Sequence, residues 1–172
     1  MNSPEQQQQK IGKSMVFAMW LVILALLTLF FDKYLGDQQN PNQQVVQRQG
    51  ADGTREVVLE QNRYGHYVAN GQINGQEVTF LLDTGATDIA IPAQVANRLG
   101  LERGRQVTFQ TANGRARGYA TRLDSVSLGH IRLTDLRASI NPNVSGDEIL
   151  LGMSFLKQLE LNQKDNTLTL RQ

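Results

Sequence analysis

In the run Phe80-Leu81-Leu82-Asp83-Thr84-Gly85-Ala86-Thr87-Asp88 a carboxylate follows directly on three large apolar residues. An ionised carboxylate carried toward a core without partners is strongly disfavoured or takes up a proton, so Asp83 needs a physical reason. Three are available. As a turn residue it would end a strand and accept hydrogen bonds from the Thr84-Gly85 backbone. As a cation ligand it would need Asp88 and Glu77, a spacing that does not match a calcium loop. As a reacting group it would serve as a general acid or base.

Other side chains offer little competition. The chain has no cysteine, so it holds no thiolate nucleophile and no Cys-based zinc site, and with only His66 and His130 a histidine-rich metal site is not expected. We expect no metal and no cofactor. His66 in YGHYV and His130 in LGHIRL read as strand or turn residues, and Gly152-Met153-Ser154-Phe155-Leu156 lacks the second glycine of a nucleophile elbow. Seventeen basic residues are scattered among sixteen acidic ones, for a formal charge of +1, which argues against nucleic acid as a partner. Chemistry is left to carboxylates, hydroxyls and backbone.

The elements that would position Asp83 are short strands. Asn74-Gly75 separates YVANGQI from QEVTFLLD, and Asn113-Gly114 separates RQVTFQTA from RARGYATRLDSVSL. Asn-Gly between strand-like runs marks a hairpin, because both residues tolerate positive φ. Further strands are expected at Ile131 to Ile140, Ile149 to Leu151 and Thr167 to Arg171. Pro92 to Leu99, followed by Gly100, reads as a short helix, and Ser154 to Leu159 as another. The sum is a mostly-β domain of roughly 115 residues, a size that folds alone.

Ahead of it, Met15 to Phe31 carries no charge and covers about 26 Å of a ~30 Å hydrocarbon core. This reads as an uncleaved transmembrane helix at 15–31. Lys10 and Lys13 before it and Lys33 behind it place 1–14 in the cytoplasm and the globular part on the other side, the periplasm in a bacterium. Residues 32–58, rich in Gln, Asn and Gly, read as a flexible tether, and 59–172 as the folded domain.

In order and spacing, L-L-D-T-G-A at Leu81 to Ala86, the hairpin T-A-N-G at Thr111, Ala112, Asn113 and Gly114, and L-L-G at Leu150, Leu151 and Gly152 followed by a helix-like segment together resemble the retropepsin-like aspartic proteases. The resemblance covers about Tyr64 to Arg171 and is greatest to bacterial members with one N-terminal span. It implies a single-lobe, closed barrel-like β fold, with Asp83 catalytic, Thr84, Gly85 and Ala86 in the active-site loop, Thr111 to Gly114 as a flap, and Leu150 to Gly152 as structural support beside the site.

It also implies a partner. The family's chemistry needs two carboxylates, and D-T-G occurs once in this chain. A homodimer would supply the second Asp83 by symmetry, with the Thr84 hydroxyls interlocked across the axis and Gly85 admitting the backbone of a protein or peptide substrate. The match departs from the viral pattern at Thr87, where those members often carry an acid; here the acid follows at Asp88, and both positions are read only as possible substrate contacts. A membrane-tethered module that binds peptides without cleaving them, or an enzyme that processes only itself, stand as alternatives.

Overall fold

The computed structural model describes residues 4–50, 53–111 and 114–172. It contains two compact units, one helical and ending at Gln38, the other spanning Gln39–Gln172. The helix α1, Pro4–Gln39, includes Met15–Gln39, a stretch long and apolar enough to cross a membrane. It runs past Phe31 into the segment expected to be tether. DKYLGDQQ contains no proline to stop it, and Phe30 and Tyr34, one turn apart, stack at 6.2 Å. Asn40-Pro41 then ends it, since the residue before proline avoids helical geometry.

Described parts of the remaining expected tether are in strands too. Strand β1 (Val46–Gln49) pairs antiparallel with β2 (Arg55–Glu60). All four β1 residues are exposed, so backbone pairing rather than burial holds them, which a reading based on apolar content misses. Asn42 is buried, and its side chain accepts from the Glu60 N–H at 2.7 Å and donates to the carbonyls of Glu60 and Val68 at 2.9 and 2.7 Å.

The larger sheet of the second unit has seven strands. Its strands are β3 (Val68–Ile73), β4 (Gln76–Leu82), β5 (Ile89–Pro92), β6 (Gln106–Thr111), β7 (Gly114–Leu128), β8 (Ile131–Asn141) and β9 (Glu148–Leu151), in the order β3-β4-β9-β5-β8-β7-β6. The sheet returns on itself where β3 also pairs with β7, Gln72 opposite Ser127 and Ile73 opposite Val126, so six strands form a barrel-like circuit with β6 outside it. Asn74 and Gly75 have φ of 51° and 79°, the geometry that the β3-β4 hairpin requires. Phe80, Ile89, Ile91, Ile149, Leu151 and Phe155 are fully buried inside.

Two short helices, α2 (Ala93–Arg98) and α3 (Met153–Leu156), pack at its margin, α2 capped by Pro92 rather than containing it. A second sheet, β1-β2-β11-β10, is completed by β10 (Glu160–Lys164) and β11 (Thr167–Arg171).

Candidate active site

Alternation along β4 decides which way Asp83 faces. Val78 and Phe80 point into the core, so Leu81 and, two residues on, Asp83 share the opposite face. Leu81 lies opposite Leu150 of β9, and Leu150 opposite Ala90 of β5, while their neighbours Ile149 and Ile89 are buried. The half-buried set Leu81, Leu150 and Ala90, with Pro92, Val144 and Glu148, lines an apolar cleft of about 180 Å³. Asp83 therefore stands one strand step beyond an apolar cleft.

The turn after β4 fixes the carboxylate. The Gly85 N–H donates to Asp83 Oδ1 at 2.8 Å, and the Ala86 N–H to the Asp83 carbonyl at 3.2 Å. The Asx turn proposed from sequence is thus real, and it occupies only one oxygen. Oδ2 has no hydrogen-bond partner among the described residues, and Asp83 is half-buried. Thr84 is exposed, and its hydroxyl is likewise without a partner among the described residues.

The loop is clamped from behind by the L-L-G segment. The Asp83 N–H donates to the Leu151 carbonyl at 3.2 Å, the Met153 N–H to Ala86 at 2.8 Å, and the Ser154 N–H to Thr87 at 3.0 Å. A Cβ on Gly152 would lie 2.6 Å from the Ala86 carbonyl oxygen, so only glycine lets the two backbones approach this closely. Leu151 and Gly152 thus lie directly against the backbone of the D-T-G loop.

Sequence reasoning missed two participants. The Ser154 hydroxyl, buried, accepts from the Ile89 N–H at 3.2 Å and donates to the Arg137 carbonyl at 3.0 Å, tying β5 to β8. Arg137 Nη2 stands 3.7 Å from Asp88 Oδ1, too long for a hydrogen bond but close enough for charge attraction. Asp88 is thus paired away from Asp83, and Thr87 is exposed with its carbonyl held by Ser154. Glu77, six residues before Asp83 on β4, is roughly 20 Å away along the strand and takes no part. No periodic signal in the strand RLTDLRASIN singles out Arg137.

The second hairpin forms where predicted, with Thr111 opposite Gly114 and Phe109 opposite Ala116; Ala112 and Asn113 lie outside the described residues. Gly118 lets the Phe109 ring and the Ile140 carbonyl oxygen come within 2.8 and 2.5 Å of where a Cβ would sit. His66 lies in a turn on Asn62, one residue before Tyr67, whose carbonyl accepts from the Leu82 N–H at 3.0 Å next to the D-T-G turn; His130 Nδ1 meets Gln47 Oε1 at 2.7 Å. Among the described residues no three His, Asp or Glu side chains cluster as a metal would need.

A single D-T-G loop at a strand end, braced by β9 of a self-returning β sheet and by the glycine that follows it, defines a retropepsin-like lobe. Residues 69–158 match the family model described as "gag-polyprotein putative aspartyl protease", and the chain belongs to that family. An uncharacterised Sinorhizobium protein encoded in the region 5' of cobV is 36% identical over 116 residues, covering 66% of this chain and 50% of its own. An uncharacterised protein of Rickettsia prowazekii is 30% identical over 116 residues, covering 61% and 46%. This chain therefore spans about half the length of the curated relatives it matches. The crystal structure of a retropepsin-like aspartic protease from Rickettsia conorii aligns with a TM-score of 0.59 and 28% identity, over 74% of this chain and 95% of that one.

Proposed function

We propose that this protein is a membrane-anchored aspartic endopeptidase that works as a homodimer, with Asp83 of each copy forming one catalytic pair. The observation that carries this reading is the Asp83 carboxylate itself, with Oδ1 pinned by the Gly85 N–H at 2.8 Å and Oδ2 left for a reacting group beside an apolar cleft.

Two carboxylates about 3 Å apart cannot both ionise, so they hold one proton between them. The ionised Asp83 removes a proton from a water, whose oxygen attacks the peptide carbonyl. The protonated partner's Asp83 supports the developing oxygen charge, and the C–N bond breaks as the leaving nitrogen takes up a proton. The water oxygen rather than a side chain attacks the carbonyl carbon, so no covalent enzyme intermediate arises. The Thr84 hydroxyl, without a partner among the described residues, supports a contact across the dimer axis, and the Thr111–Gly114 hairpin is suited to cover an extended substrate by strand-like pairing.

The apolar helix supports an anchor at 15–31, and the bases before it support a cytoplasmic N-terminus with the β unit in the periplasm. Confinement to a bilayer raises effective concentration and favours pairing of two copies. The test is incubation of the detergent-solubilised full chain with denatured protein, wild type beside Asp83→Asn, with products read by mass spectrometry. Cleavage by the wild type alone is expected; equal cleavage by both overturns the reading, and none by either overturns it and leaves a peptide-binding module.

A further inference from the structure

Two neighbouring acids stand where the chain enters β9, and only one of them is compensated. Asp147 has a cation, Arg98 Nη1 at 3.9 Å, and its Oδ1 accepts from the Gln94 side-chain amide at 3.4 Å, while the same amide donates to the Gly146 carbonyl at 2.6 Å. The loop before β9 is therefore held from α2. Glu148, the next residue, is exposed and lines the cleft beside Asp83, yet its carboxylate has neither a cation nor a hydrogen-bond donor among the described residues.

The sheet register places that carboxylate. β9 runs exposed, buried, half-buried, buried from Glu148 to Leu151, so Glu148 and Leu150 share the side that faces the cleft. Glu148 lies opposite Thr79 and Leu150 opposite Leu81, which sets Glu148 roughly 13 Å from Asp83 along the strand direction with the Leu81-Leu150 pair between them. The cleft thus runs from the proposed reacting carboxylate, between apolar walls that include Leu81, Leu150 and Val144, to an uncompensated anion. A leucine side chain entering from the Asp83 end covers the walls and leaves the Glu148 charge unpaired. The long apolar stem of lysine or arginine packs along the same walls and carries a cation to the far end.

We propose that Glu148 makes this cleft a subsite for a basic side chain, lysine or arginine, of the peptide bound across Asp83. An acid at the far end of an apolar slot selects by attraction to a base and by repulsion of a second acid, so glutamate and aspartate are rejected there. The proposal rests on the endopeptidase reading of Asp83 for the nature of the bound chain, and its test reads binding separately from cleavage.

The test uses the full chain in detergent micelles and labelled octapeptides of alanine and valine in which one position at a time is Lys, norleucine or Glu. Norleucine has the lysine stem without its charge. Binding is followed by fluorescence anisotropy with Asp83→Asn, and cleavage by mass spectrometry with Asp83 intact. At the position that occupies the cleft, Lys should bind about fivefold more tightly than norleucine and Glu more weakly than either, and the advantage of Lys should shrink as salt is raised. Adding Glu148→Gln should bring the Lys-to-norleucine ratio to one, and Glu148→Lys should move the preference to the Glu peptides. A merely structural role of Glu148 would weaken all three peptides alike, and circular dichroism checks the fold of each variant. Equal binding of Lys and norleucine peptides at every position, a Lys advantage that survives both Glu148 variants, or no binding of any peptide overturns the subsite. Wild-type cleavage without a preference for Lys sinks the subsite and keeps the endopeptidase. A Glu148-dependent preference for Lys in binding, with no peptide cleaved by the wild type, sinks the endopeptidase and keeps the subsite.

Discussion

A Cβ added to Gly152 would lie 2.4 Å from the Asp88 backbone oxygen, inside any permitted contact. The obstacle is backbone, so it cannot rotate away. Gly152→Ala is therefore expected to push the D-T-G loop off β9, costing about 1–3 kcal/mol of stability. Cleavage should fall at least tenfold even at temperatures where the variant is folded, measured by denaturant unfolding beside a peptide-cleavage assay.

Asp83 separates chemistry from structure. Asn in its place keeps an oxygen for the Gly85 N–H, so Asp83→Asn should retain wild-type stability within about 0.5 kcal/mol and lose activity. Asp83→Ala should lose the activity and, in addition, about 1 kcal/mol of stability from the missing turn hydrogen bond. Thermal unfolding of the two variants side by side checks this.

Ser154 is buried and bonded both to the Ile89 N–H and to the Arg137 carbonyl. Ser154→Ala leaves both groups without that partner, at a cost of about 1–3 kcal/mol. Because it loosens the β5-β8 junction behind the loop, KM should rise along with the loss of stability, a split that steady-state kinetics would resolve.

Asn42 predicts where the folded unit starts. Asn42→Ala removes the contacts to Glu60 and Val68 and should destabilise the β unit by about 2–3 kcal/mol, opening the stretch 40–50 to proteolysis. A chain trimmed to begin at Gln39 should unfold at a higher temperature than one trimmed to begin at Arg55, as differential scanning calorimetry would show.

Arg122 pairs with Asp135 across β7 and β8 and holds that carboxyl below the usual carboxylate range. A carboxyl whose folded pKa is depressed adds stability above its ordinary pKa and loses it as pH falls through the lower folded value. Arg122→Gln should thus reduce stability at neutral pH and leave it unchanged at a pH below both values, by a small amount because both groups are exposed. Urea unfolding across an acidic pH series reads the difference.

The elements nearest the chemistry were legible because their signals are local. Asn74-Gly75 can only turn one way at low cost, three apolar residues running into Asp83 mark a strand end, and Thr167 to Arg171 alternates as a strand with one covered face does. D-T-G with L-L-G in the right order carried the family, and the fold followed from it. The stretch 32–58 was misjudged for the opposite reason: the order of Val46–Gln49 comes from backbone pairing to β2, and apolar content does not register that.

By itself, then, the sequence determined most strands of the seven-stranded sheet, the loop that bears Asp83 and the family to which the chain belongs, since each depends on neighbours along the chain. Only the tertiary structure decided what Gly152 and Ser154 are for, that Asp88 faces Arg137, and that Asn42 closes the start of the β unit. Those contacts join segments far apart in sequence, and their strength depends on approach distance and burial, which no local pattern encodes.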